Sequence, residues 1–108
     1  MKTLVCAIRG GQASRTTQGK AIDIAKERGF NIIFLYVIDT NLIEKSDYRI
    51  RIELKDEILR MGRLLLRIAR TQARKKGVEA DFVTGEGTIR EAIEKCLIEK
   101  KADLLVLG

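Results

Sequence analysis

The segment Arg9-Gly10-Gly11-Gln12-Ala13-Ser14 carries the sharpest local chemistry in the sequence. Two adjacent glycines let a backbone approach an anion closely. A helix beginning behind them would present free N–H groups and the positive end of its dipole. Arg9 and Arg15 add positive charge beside it. The same residues also suit a tight strand-to-helix turn in which glycine serves geometry alone. An anion or nucleotide site and a plain turn therefore both stay open.

A second constellation is purely electrostatic. Arg60, Arg63, Arg67, Arg70 and Arg74 recur at alternating spacings of three and four, which places them on one face of a helix. Between Arg60 and Lys76 there are five arginines, two lysines and no acid, a charge of +7 against +6 for the whole chain. Only Arg60 has acids within one helical turn, Asp56 and Glu57. One reading is a solvated outer face whose acids come from elsewhere in the fold, with cations favoured near a helix C-terminus. The other is a contact surface for an acidic partner, a membrane surface or nucleic acid, centred on Arg63, Arg67, Arg70 and Arg74. Nucleic acid fits that surface poorly, because only three phenylalanines and two tyrosines are available for base stacking.

Other chemistry is excluded by what the sequence lacks. It has no histidine, and its two cysteines, Cys6 and Cys96, belong to no C-x-x-C pair. Zinc sites of the Cys/His type and histidine-activated nucleophiles are therefore ruled out. Both cysteines read as small buried hydrophobes. Gly85-x-Gly87-x-x-Arg90 lacks the third glycine of a dinucleotide fingerprint, and Gly19-Lys20-Ala21 lacks the flanking residues of a Walker phosphate loop. We expect no catalytic residue and no metal ligand.

The elements that must position these groups alternate in type. Leu4–Ile8 is a continuous apolar run, as for a strand buried on both faces. Ser14 is the expected cap of a helix reaching Arg28, with Ala21, Ile24 and Ala25 inside and Gly29 as its stop. Ile32–Ile38 is a second strand, and Asp39 to Asp47 a polar connection. A long helix from Tyr48 to Lys76 is expected to bury Leu54, Ile58, Met61, Leu65, Ile68 and Ala69. Val78–Thr84 is a third strand, less apolar and so nearer an edge, followed by a turn at Gly85-Glu86-Gly87. Thr88 and Glu91 form a capping box opening the next helix, with Ile89, Ala92, Ile93, Cys96 and Leu97 inward. Leu104–Leu107 is a fourth strand. This β-α-β-α-β-α-β order implies one α/β domain with a parallel sheet and ligands at the carboxyl ends of its strands.

Several stretches resemble the universal stress protein family. Leu4-Val5-Cys6-Ala7-Ile8-Arg9-Gly10-Gly11 is similar to the family's opening strand and turn, and Leu35-Tyr36-Val37-Ile38-Asp39 to the end of its second strand. Gly77-Val78-Glu79, Thr84-Gly85-Glu86-Gly87 and Ala102-Asp103-Leu104-Leu105-Val106-Leu107-Gly108 are similar to its later segments. The resemblance implies a flavodoxin-like three-layer sandwich of the HUP nucleotide-binding architecture, strand order 3-2-1-4-5, and often a homodimer. It implies a non-catalytic regulatory or stress-response role, with ATP or another adenine nucleotide as ligand and Mg2+ only alongside ATP.

By the same resemblance, Ala7, Arg9, Gly10 and Gly11 would stand at the mouth of the first strand. Val37 would pack on the base or ribose, and Leu107 and Gly108 would open the phosphate loop. Two departures stand out. ATP-binding members carry an aspartate where this chain has Arg9, and the glycine-rich phosphate loop follows a position where this sequence stops. The expectation is thus a single domain over residues 1–108 lacking the family's last helix and strand, or one whose open edge a partner covers. The turn at Arg9 also resembles the S-G-G-x-D-S loop of PP-loop pyrophosphatases at Gly10, Gly11 and Ser14, but not at Arg9 and Ala13. The main alternative function is an adaptor that holds no nucleotide and docks an acidic partner through the arginine row. No apolar run is long enough to span a membrane, and no signal-peptide pattern opens the chain, so a cytoplasmic location is expected.

Overall fold

The structure, a computed structural model, describes residues 2–9, 11–39 and 48–108, the side chains of 48–51 excepted. Gly10, and the connection expected over Asp39 to Asp47 apart from Asp39 itself, lie outside these residues. The elements are β1 (Thr3–Ile8), α1 (Gln12–Arg28), β2 (Asn31–Asp39), α2 (Tyr48–Lys75), β3 (Ala80–Gly87), α3 (Ile89–Glu99) and β4 (Leu104–Val106). All strand pairs are parallel, in the order β3-β2-β1-β4. The expected α/β class and the order of its first four strands are both present.

Strand alternation divides the core into two layers. Leu4, Cys6 and Ile8 of β1, with Ile32 and Phe34 of β2, face α1 and α2, where Ala21, Ile22, Ala25, Leu66, Ala69 and Ala73 close the layer. Val5, Ile33 and Leu35 point the other way, onto Ile93 and Cys96 of α3. Apolar side chains appear on both faces because each face is roofed by a helix, which is why β1 and β2 read as unbroken hydrophobic runs. Gln18 is buried between α1 and α2, where its amide donates to the Gln72 side-chain oxygen and so does not remain unsatisfied.

Helix ends follow the punctuation in the sequence with one exception. Gly29 stands in the left-handed region and terminates α1, and the Thr88 hydroxyl accepts from the Glu91 N–H at 3.2 Å to open α3. The exception is Ser14. α1 begins earlier, at Gln12, with Gly11 as its cap at φ 102°, a conformation that disfavours any side chain. The third strand also lies later than expected. Gly85, Glu86 and Gly87 do not form a turn but pair with Val37, Ile38 and Asp39 of β2. β3 is an edge strand, as its lower apolarity suggested.

The inward face of α2 differs from expectation. Leu54, Met61 and Ile68, expected in the core, are exposed. The buried positions are Gly62, Leu66, Ala69 and Ala73, at spacings of four, three and four. Small residues on this face bring the helix close to the sheet, and the ring of Tyr36 occupies the space beside Gly62. Leu66 and the partly buried Leu65 pack inward, while Leu54, Met61 and Ile68 fall on an exposed flank of the helix.

Candidate functional site

The crevice lies where the strand order reverses. β1 is followed in sequence by its neighbour β2 on one side and reached by β4 on the other, and such a reversal opens a cleft beyond the strands' carboxyl ends. An apolar cavity of about 230 Å³ occupies that position. Ala7, Ile8 and Arg9 line it from the end of β1, Val37 from β2, Ile89 and Ile93 from α3, and Leu107 and Gly108 from the segment after β4. A second cavity of about 200 Å³ adjoins it and shares Ala7, Arg9 and Gly108. Its remaining walls are Ala13 and Ser14, in the first turn of α1. The first cavity is mainly hydrophobic; the second is evenly polar and apolar and faces a helix N-terminus.

The local sequence explains this polarity. Gly11 has no side chain to cap α1, the first turn carries no acid, and Arg15 follows it. The positive end of the helix dipole is thus uncompensated by a carboxylate. Ser14 has a different role from the expected cap. Its hydroxyl accepts a hydrogen bond from the Arg9 N–H at 2.8 Å and so ties the end of β1 to the first turn of α1. The Arg9 guanidinium reaches across the mouth, with Nη2 donating to the Gly108 carbonyl at 2.9 Å. A guanidinium has five N–H donors, so this contact leaves others to meet an anion.

Gly108 packs tightly against α1. A Cβ at that position would collide with the Thr17 hydroxyl and lie 2.8 Å from its Cβ, so the backbone approaches α1 as only glycine permits. Of the residues expected in the site, Ala7, Arg9, Val37, Leu107 and Gly108 converge on the first cavity. Gly11 lies behind it as the helix cap, and Gly10 is outside the described residues. Ile8, Ala13, Ser14, Ile89 and Ile93 line the crevice without having been expected there. The four-residue spacing of Ile89 and Ile93 reads as ordinary core, and only the height of α3 above the sheet edge distinguishes them.

The arginine row separates into two groups. Arg70 stacks on the Phe82 ring at 4.5 Å and approaches Asp81 at 3.9 Å, while Arg74 donates to the Ala80 carbonyl at 3.1 Å. These two fasten α2 to β3. Arg60 meets Glu57 at 3.6 Å on the surface. Arg63 and Arg67 form no ion pair among the described residues and, with Arg60, Asp56 and Leu59, line a shallow depression of about 290 Å³.

Both cysteines are reduced and buried. Burial pushes the Cys6 thiol up to about 12 and raises that of Cys96. A thiol held protonated is a poor nucleophile and a poor metal ligand. Among the described residues, no three His, Cys, Asp or Glu side chains converge so as to hold a metal ion, and no helix is long and apolar enough to cross a membrane.

A parallel sheet roofed on both faces, with a crevice at its switch point, defines an α/β sandwich domain. The chain belongs to the universal stress protein family, whose sequence pattern matches residues 1–108. No curated protein sequence matches it. Among solved structures it is similar to a universal stress family protein from Burkholderia pseudomallei, with TM-score 0.85 and 24% identity over 99% of this chain and 80% of that one. It is similar to UspA from Lactobacillus plantarum, with TM-score 0.85 and 20% identity over 99% and 76%. A universal stress protein in complex with cAMP aligns with TM-score 0.73 and 26% identity over 99% and 75%.

Proposed function

We propose that the crevice binds an adenine nucleotide and that the protein acts by holding it, as a non-catalytic regulatory or stress-response domain. The observation that carries this reading is the pairing of an apolar cavity with a cationic one across Arg9. A nucleotide has the same division, a flat base at one end and phosphate at the other. Val37, Ile89, Ile93 and Leu107 offer a slot for the base. Arg9, the Ser14 hydroxyl and the first-turn N–H groups of α1 offer donors for phosphate. Together the cavities approach the size of small-molecule sites, roughly 300–1,000 Å³. A related protein solved with cAMP supports the same ligand class. In this reading residues 1–108 act as one domain, within a cytoplasmic homodimer, with Mg2+ bound only alongside ATP.

Arg9 affects which nucleotide is favoured. A guanidinium accepts no hydrogen bond, so it cannot take those from ribose hydroxyls or the adenine amine, as a carboxylate there would. It attracts phosphate instead. The test is calorimetric titration with ATP, ADP, AMP and cAMP. At least one should bind, and Arg9→Ala should weaken it about tenfold or more, the scale of one lost hydrogen bond to a charged group. Ile89→Asp should abolish binding, since it places a carboxylate in the base slot while an acid in the first turn of α3 suits that helix. Absence of binding by every nucleotide, or binding untouched by both substitutions, would overturn the proposal. The alternative expectation, an adaptor that holds no nucleotide and docks an acidic partner through the arginine row, is the reading that absence of binding by every nucleotide would favour.

A further inference from the structure

β3 is an edge strand closed along its first half and open along its second. In its parallel pairing with β2, the Ile32 N–H donates to the Glu79 carbonyl at 2.9 Å. Glu79, Asp81, Val83 and Gly85 therefore turn their N–H and C=O groups to β2, and Ala80, Phe82, Thr84 and Glu86 turn theirs outward. Side chains cover the first of these outward groups. Arg74 donates to the Ala80 carbonyl at 3.1 Å, and the Asp81 carboxylate accepts from the Phe82 N–H at 2.8 Å. Among the described residues, nothing meets the Phe82 carbonyl or the N–H and C=O groups of Thr84 and Glu86. Sheet edges are commonly blunted by charged side chains, and here the blunting stops at Phe82.

Each face of the sheet adds something different beside the open half. On the α2 face, Arg74 reaches Ala80, Arg70 stacks on Phe82, and Gly62 adjoins Tyr36, the β2 partner of Thr84. Arg63 and Arg67 thus stand level with Phe82 to Thr84, on the side of the helix that Arg70 and Arg74 turn to the edge. On the α3 face, a cavity of about 250 Å³ borders the same stretch of β3, with Leu35, Val83, Ala92 and Cys96 among its walls and Lys95 and Lys100 exposed beside them. We propose that the open half of β3 pairs with an extended acidic segment of another protein. Its main chain completes the edge, its carboxylates meet Arg63 and Arg67, and its alternate apolar side chains enter the cavity beside Val83. This holds whether or not the crevice takes a nucleotide.

The edge and its flank select this occupant. A row of outward N–H and C=O groups needs donors and acceptors in alternation, which a main chain has and a phosphate backbone or lipid headgroup lacks. A second copy has such a main chain, but pairing β3 with β3 across a two-fold axis brings the two arginine flanks together. From residue 56 to residue 74 each flank has five arginines against two acids, and Glu57 is already held by Arg60 at 3.6 Å, which leaves Asp56. Two copies would therefore double the cationic excess, whereas an acidic strand removes it.

The test uses fluorescence anisotropy with synthetic peptides of about seven residues, roughly 23 Å when extended. The first alternates glutamate and valine; the second has lysine for each glutamate. Two more are N-methylated, one at every glutamate and one at every valine, which removes the N–H groups along one edge and leaves the side chains alone. The first peptide should bind and the lysine peptide should not. At least one methylated peptide should lose binding, the glutamate one if the pairing is antiparallel and the valine one if it is parallel. Amide exchange at Thr84 and Glu86 should slow when the first peptide is bound. Arg63→Glu/Arg67→Glu and Thr84→Pro should each weaken it about tenfold or more. Proline removes the outward N–H and is tolerated on edge strands. Circular dichroism verifies that each variant is folded, and the methylated peptides test the edge with the wild-type protein alone. Absence of binding by the first peptide, equal binding of both methylated peptides, or unchanged exchange at Thr84 and Glu86 overturns the proposal. So does wild-type dimerisation lost on Thr84→Pro, which assigns the edge to a second copy.

Discussion

The ring of Tyr36 stands where a side chain at position 62 would have to go: a Cβ built on Gly62 lies 2.5 Å from Cδ1 and 2.7 Å from Cε1 of that ring. The pair determines how closely α2 approaches β2. In an exposed helix, Gly→Ala stabilises by about 1 kcal/mol. Here the added methyl meets a stiff ring in a packed layer, and overpacking costs typically about 1–3 kcal/mol. Gly62→Ala should therefore lower stability by about 1–2 kcal/mol in urea unfolding. Combining it with Tyr36→Ala should be less damaging than the two single effects added together. Additive losses would show that the close approach is not what matters.

Arg63 and Arg70 are equivalent by sequence spacing and differ in the fold. Replacing Arg63 and Arg67 with glutamine should leave stability within about 0.5 kcal/mol, tending upward as like-charge repulsion is relieved. Arg70→Gln should cost about 0.5–1 kcal/mol, because the guanidinium leaves the Phe82 ring and Asp81. Thermal melts at low and high salt would decide. A loss on Arg63 and Arg67 replacement equal to that for Arg70 would show that the whole row pairs within the protein.

The Cys6 thiol makes stability depend on alkaline pH. Its folded value is about 12 against an ordinary 9.0. Below about pH 9 both folded and unfolded chains keep the proton, and the full stability is present. As pH rises from about 9 towards 12 the unfolded chain loses the proton first, and stability falls. Urea midpoints between about pH 8 and about pH 11 should drop more steeply for the wild type than for Cys6→Ala. Parallel curves would assign the fall to other groups.

Ser14→Ala removes the acceptor of the Arg9 N–H. An exposed bond of this kind contributes about 1 kcal/mol at most, so the melting temperature should fall only slightly. Hydrogen exchange at the Arg9 amide should quicken measurably. An unchanged exchange rate would mean that the contact does not hold the β1 end in solution.

The parallel order was legible because both buried strands are unbroken apolar runs and Gly29, Gly77 and Thr88 mark helix boundaries. The start of α1 was not, since Ser14 has a cap's chemistry but turns it back to Arg9. The face of α2 was misread for a related reason. Size favours Leu54, Met61 and Ile68, whereas the sheet selects Gly62, Leu66, Ala73 and the expected Ala69. No periodicity distinguishes a large residue that packs inside from one that stays outside. At the crevice, residues at strand ends were readable from the sheet alone. Ile89 and Ile93 required the height of α3, a tertiary property.

The two layers are unequal. Among the described residues, thirteen buried side chains cluster on the α1 and α2 face, and five on the α3 face. Opening a layer exposes its apolar surface, so α3 should detach at lower free energy than the rest and show earlier amide exchange. Its N-terminal part, through Ile89 and Ile93, is also a wall of the crevice. A ligand seated there would bridge the loosest helix to the firmest strand. Occupancy would then be readable far from the crevice, as slowed exchange along α3 and a stiffer face around Ile98, without any change in backbone path.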